Sequence, residues 1–95
     1  MASAVAGLIA SVRAEKRPPW SQAFLADEML RRGFATSRNQ IARLERSEPT
    51  LYSYELVAAA GLCLAIELTA VLAAIAEDYL TVQRRIAARL EMLDC

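Results

Sequence analysis

Between residues 8 and 60 the chain has one glycine, Gly33, and it falls in the turn between two short stretches that each open on a serine. Ser21-Gln22-Ala23-Phe24-Leu25-Ala26 leads into the turn, and Ser37-Arg38-Asn39-Gln40-Ile41-Ala42-Arg43-Leu44-Glu45 leads out of it. Serine is a favoured N-cap, and glycine takes the left-handed conformation that ends a helix without steric penalty. The spacing therefore predicts two short helices set at a fixed angle around a tight turn. The rest of the chain must hold that angle or pair two copies of it.

What surrounds this unit is helix-forming. Of 95 residues, 56% are hydrophobic, much of this alanine and leucine, with three glycines and three prolines to interrupt them. Alanine and leucine are the best helix formers and β-branched residues are sparse, so the expectation is one all-α domain with a small core. The formal net charge is zero, but it is unevenly placed. Residues 13 to 46 carry eight basic side chains against four acidic ones, a balance of +4 that the remainder cancels. Local field, not net charge, steers a polyanion, so a basic half is compatible with a nucleic-acid partner.

The two cysteines, Cys63 and Cys95, lie far apart, with no histidine anywhere and no CxxC, which argues against a metal site. A buried Cys63 and a terminal Cys95 fit a reducing cytoplasm, with a Cys95 disulfide across a dimer as the alternative. At the N-terminus the basic residues follow the apolar run instead of preceding it, the wrong order for a secretory signal. Leu56 to Ala76 is long enough to span a bilayer. Glu67 at its centre would cost about 2.5 to 3.5 kcal/mol there, however, and alanine is its commonest residue, so buried helices of a soluble bundle are the expectation.

In chain order, Val5, Leu8, Ile9 and Val12 recur at helical spacing and predict a helix over residues 3 to 16, with Ser3 as a candidate N-cap and Pro18-Pro19 as its stop. Arg13, Lys16 and Arg17 gather at its end, where they complement the helix dipole or touch phosphate. The second helix starts after Ser21, with Trp20 placed to pack as a hydrophobic staple, Asp27 and Glu28 early, and Gly33 as its end. The third runs from 38 to about 47, with Ile41 and Leu44 facing inward. Ser47 to Thr50 form a loop, and a fourth helix begins at Tyr52 or Ser53 and breaks at Gly61. The alternation in residues 62–68 is ambiguous between strand and buried helix. Its alanine-rich continuation favours a helix from near Leu64, a short strand at 62–68 being the alternative. Tyr79, Leu80, Val82, Ile86, Leu90 and Leu93 then form a stripe along a charged terminal helix, and such a stripe needs a cover. A second copy is the expected cover, through Tyr79, Val82, Ile86, Leu90 and Leu93. The expected division is a domain over residues 1–76 and a dimerisation helix over 77–95.

The third helix carries the chemistry. Arginine can bond guanine O6 and N7 bidentately, and asparagine or glutamine can do the same to adenine N6 and N7. Arg38, Asn39, Gln40 and Arg43 are therefore the candidate base contacts. Gln22, Arg31, Arg32 and Arg46 are the candidate phosphate contacts. An ordinary solvated face is the competing explanation, though it would more often carry glutamate and lysine.

At these residues the chain resembles the lambda-repressor-like, xenobiotic-response-element (XRE) class of helix-turn-helix proteins. The matching positions are Val12-Arg13, Ser21-Gln22, Leu25-Ala26, Ile41 and Leu44-Glu45-Arg46, followed by Pro49 and the Leu56 to Gly61 helix. The longer spacing around Arg31-Arg32-Gly33-Phe34 also resembles helix-turn-helix segments of plasmid and integrative-element partition proteins. The resemblance implies a five-helix domain whose third helix enters the major groove, with the cap of the second near a phosphate and dimers reading two half-sites. The function expected is a repressor-like, sequence-specific regulator that binds double-stranded DNA as a homodimer. The alternative is an interaction module, an antitoxin or adaptor, whose C-terminal helices bind a toxin or other regulator. No acid-base or nucleophile constellation stands out, so neither an enzyme nor a cofactor is expected.

Overall fold

The computed structural model describes residues 2–50 and 52–94. Five helices follow in order: α1 (Ala4–Glu15), α2 (Gln22–Arg31), α3 (Arg38–Leu44), α4 (Tyr54–Cys63) and α5 (Leu68–Asp94). Among the described residues there is no strand, so residues 62–68 form the end of α4, a turn and the start of α5. No helix in them is long and apolar enough to cross a membrane.

Serine sets the start of four helices. Ser3, Ser21, Ser37 and Ser53 each accept a hydrogen bond from the backbone N–H three residues on, so each first turn has one fewer orphan donor. At Ser37 the cap is reciprocal, because the Gln40 side chain accepts from the Ser37 N–H at 3.0 Å. Trp20 packs edge-on against Phe24, ring centroids 4.7 Å apart, one residue earlier than the usual staple partner.

Two helices end alike. After α2, Gly33 takes φ +93°, Phe34 N–H reaches Met29 C=O at 2.9 Å and Gly33 N–H reaches Leu30 C=O at 3.0 Å. These are the paired bonds of a Schellman motif. After α4 the same pair recurs, Ile66 N–H to Gly61 C=O at 2.9 Å and Ala65 N–H to Leu62 C=O at 3.2 Å. The left-handed residue there is Ala65, φ 58°, although an L side chain is strained in that conformation.

The helix limits correct several expectations. Gly61 does not break α4; it is buried inside the helix, where a Cβ would lie 3.5 Å from the Val71 side chain of α5. The next helix begins at Leu68, later than Leu64, because Ala65 turns the chain first. α3 stops at Leu44, short of residue 47. Ser47 accounts for that stop: its hydroxyl donates to Leu44 C=O at 2.7 Å, and its C=O accepts from Ser3 N–H at 2.8 Å. Asp27 and Glu28 lie beyond the first turn of α2, and Glu28 pairs with Arg31 instead. The fifth and terminal helices are one rod of 27 residues, unbroken at residue 76 where a division was expected.

The core draws on every helix. Ile9 of α1, Leu25 and Met29 of α2, Ile41 and Leu44 of α3, Val57 and Ala60 of α4, and Ala74 of α5 form one buried cluster, which Leu64 closes beyond α4. Cys63 is buried beside them, as expected; Cys95 lies outside the described residues. α2 packs on α3 and α4, and α1 packs on α4 and α5.

Asp78 fastens α5 to α1. The residue is 3% exposed, and its carboxylate accepts from Ala4 N–H at 2.6 Å, Val5 N–H at 3.2 Å and the Tyr52 hydroxyl at 2.9 Å. A negative charge at a helix N-terminus meets both free N–H donors and the positive dipole end, which is how a buried carboxylate is tolerated here. Burial first, then the bond to Asp78 and its charge, push the Tyr52 hydroxyl well above its ordinary value.

Candidate functional site

α3 is anchored along one side and free along the other. Ile41 and Leu44 are 0% and 3% exposed, which fixes the rotation of this short helix on α2. Arg38, Asn39, Gln40, Arg43 and Arg46 are all exposed. Arg38, Asn39, Ala42, Arg43 and Arg46 line one open groove together with Gln22 at the start of α2.

A partly buried cluster holds the end of α3. Arg13 donates twice to Glu45, Nε to Oε2 at 2.7 Å and Nη2 to Oε1 at 2.8 Å, and its Nη1 donates to Trp20 C=O at 2.8 Å. Gln22 Nε2 donates to Glu45 Oε1 at 3.0 Å. One carboxylate therefore ties together the end of α1, the start of α2 and the end of α3. The pair is little solvated, with side chains 18% and 8% exposed, so it is worth more than a surface ion pair. Burial pushes the Glu45 carboxyl up, but the bonds from Arg13 and Gln22 and the Arg13 charge outweigh it, leaving the carboxyl below its ordinary value. The Glu45 bond outweighs burial at Arg13 too and raises the guanidinium further.

This cluster sets the charge of the groove. Glu45 is the acid in its lining, and Arg13 already neutralises it, so Arg38, Arg43 and Arg46 present net positive charge.

The expected contacts are not equally available. Arg38, Asn39 and Arg43 come together on the groove with no side-chain hydrogen bond inside the protein, among those found in the described residues. Gln40 is partly committed: its Oε1 accepts from Ser37 N–H and from Thr36 Oγ1 at 2.8 Å. Bidentate bonding to adenine needs that oxygen as an acceptor, so in this conformation Gln40 offers only amide donors. Among the phosphate candidates, Gln22 and Arg46 line the groove, whereas Arg31 and Arg32 sit at the far end of α2, outside its lining. Arg31 also donates to Glu28.

Two further cations at the end of α1 have structural work. Arg13 belongs to the Glu45 cluster, and Lys16 Nζ caps α4 by donating to Leu64 C=O at 3.0 Å while lying 5.2 Å from the centre of the Trp20 ring. Neither bond was foreseen from the sequence. The only local signal was Glu45 itself, a carboxylate at the C-terminal end of a helix, where the dipole disfavours it unless a cation is near.

No group of three or more histidine, cysteine, aspartate or glutamate side chains that could hold a metal ion occurs among the described residues. No family model matches the chain, and neither a curated protein nor a solved structure is significantly similar to it. The likeness to the XRE class thus stands on the quoted residues alone.

Proposed function

We propose that this chain is a sequence-specific DNA-binding protein of the repressor type, in which α2, the Gly33 turn and α3 act as a helix-turn-helix and α5 pairs two copies. The observation that carries this reading is the state of α3. Its inward residues and its C-terminal carboxylate are locked, while Arg38, Asn39 and Arg43 stand free on one positively charged face.

In this reading α3 lies in the major groove, where Arg38 and Arg43 bond guanine and Asn39 bonds adenine. Gln40 holds the Ser37 cap and can add one amide donor. Arg46 and the remaining amide hydrogen of Gln22 bind phosphates flanking α3, and Arg31 and Arg32 add field at longer range. The Arg13–Glu45–Gln22 cluster positions α3 without touching DNA.

Selection of bound sequences from a random duplex pool tests the proposal. The expected result is a site of two inverted half-sites containing guanine and adenine at fixed positions, spaced by about one duplex turn. Recovery of no enriched sequence, with retention independent of salt, contradicts it.

The second reading, an antitoxin-like or adaptor module, draws on a different observation. An apolar groove lies open between α4 and α5, with Tyr54 72% and Leu62 73% exposed. A mobility-shift titration at two salt concentrations separates the two readings, because a pure adaptor shows no salt-dependent retention.

A further inference from the structure

α5 carries two apolar faces. One, centred on Ala74 and Asp78, is buried against the rest of the protomer. The other lies roughly 100° round the helix axis, at about 100° per residue. Leu68, Leu72 and Ile75 mark it in the first half of α5 and Ile86, Leu90 and Leu93 in the second, with Tyr79 and Val82 between them. Steps of three and four residues keep this stripe straight along the whole rod, a length of about 40 Å.

Among the described residues the protomer shields it only in part, at Ile75, which packs against the core, and at Val82. Leu68 is 71% exposed, Tyr79 65% and Leu93 75%, and every residue from Gln83 to Leu93 is exposed on all sides of the helix. The first half of the stripe forms one wall of the apolar groove whose other wall is α4. The second half projects as a bare arm, which accounts for a long dimension of 53 Å against 23 and 19 Å. Groove and arm belong to one unbroken helix, so neither can fold onto the other within a chain.

We infer that each arm lies in the α4–α5 groove of a second copy, so that two α5 helices pair antiparallel along their full length. This rests on the dimer in the reading above, though not on its binding to DNA. Three features favour the arrangement. Reversing the stripe brings most of it onto itself: Leu68 meets Leu93 of the second copy, Ile75 meets its Ile86, and Tyr79 meets its Val82, while Leu72 and Leu90 fall one residue out of register. Charge agrees with it, because residues 47 to 83 contain no lysine or arginine and include Glu48, Glu55, Glu67 and Glu77, whereas the arm carries Arg84, Arg85 and Arg89 against Glu91 and Asp94. Antiparallel pairing lays the basic arm over the acidic half and opposes the two helix dipoles. Parallel pairing would set arm arginines against their own copies and crowd both globular ends together.

The test uses the full chain. Light scattering at micromolar concentration is expected to give twice the chain mass. Leu72→Asp in the groove and Leu90→Asp on the arm are each expected to give the single-chain mass with unchanged helical circular dichroism, since both side chains are exposed in the protomer. Register is read by disulfides in a Cys95→Ser background: Ile75→Cys with Ile86→Cys should oxidise to a covalent dimer, and neither substitution alone should. A wild-type chain of single mass, a dimer that survives Leu72→Asp, or a covalent dimer from Ile86→Cys alone overturns the inference. Retention on duplex DNA, measured on the same samples, separates the two claims. A dimer with this register that ignores DNA removes the DNA reading only, and DNA binding by a solitary chain removes the pairing only.

Discussion

The α2–α3 unit and the α4–α5 unit end a helix in the same way with different residues. At Gly33 the left-handed position is filled by the residue suited to it; at Ala65 it is filled by alanine, while the nearby glycine, Gly61, sits inside α4. Local preference and tertiary packing agree in the first unit, which presents a polar face. In the second they disagree, and packing against α5 and the core decides where α4 ends. Polar side chains fix the first unit through directed bonds at Glu45, whereas the second depends mainly on apolar contact, with polar fastenings to α1 at Asp78 and at the Lys16 bond to Leu64 C=O.

That contrast orders the expected effects of substitution. Asp78→Ala should be the most damaging change, because it strands the buried Val5 N–H, the partly buried Ala4 N–H and the Tyr52 hydroxyl together. A loss of about 3 to 5 kcal/mol in chemical denaturation is expected. A loss below 1 kcal/mol would mean that apolar packing alone seats α5.

Glu45→Gln comes next, at about 2 to 3 kcal/mol, since Arg13 keeps its burial and loses its counter-charge. The same residue gives a pH signature. Because the folded carboxyl lies below its ordinary value of 4.5, its contribution is complete above that pH and disappears as the pH falls through the lowered value. Glu45→Gln should remove this part of the acid sensitivity, and denaturation curves between neutral and acid pH check it.

Asn39→Ala should leave stability unchanged and weaken binding to a selected DNA site by about 1 to 3 kcal/mol, with relaxed preference at one base pair. A fall in thermal stability instead would make Asn39 a structural residue.

The smallest effects are expected at the mismatched helix end, and both are stabilising. Ala65→Gly should add about 1 kcal/mol by relieving the left-handed alanine. Gly61→Ala should add about 0.5 to 1 kcal/mol, because the new methyl meets Val71 at an ordinary contact distance. Destabilisation by either would mean that the α4–α5 turn is held by something other than its backbone preference.

The same contrast marks how far the sequence could be read. The starts of α1, α2 and α3 and the turn at Gly33 were legible because a serine or glycine acts within three or four residues of itself. The inward positions Ile41 and Leu44 were legible from spacing alone. The end of α4, the start of α5 and the continuity of α5 were not, because in an alanine- and leucine-rich run every register looks helical and distant packing makes the choice. The Arg13–Glu45 and Asp78–α1 fastenings span 32 and at least 73 residues, so no local pattern announces them. Gln40 illustrates the limit at the candidate site, where one side chain matched both a base-reading residue and a helix cap, and the fold uses it as the cap.

In the function proposed here, the free face of α3 reads DNA while the side chains around it only hold DNA in place. Binding constants for the wild type, Asn39→Ala and Arg46→Ala, taken across a salt series on the selected duplex and on a random duplex, test it most directly. Asn39→Ala is expected to lose affinity for the selected duplex alone with its salt slope intact, and Arg46→Ala to weaken both duplexes alike and flatten the slope by about one. Equal losses on both duplexes for Asn39→Ala, or a wild-type affinity that does not change with salt, would contradict it.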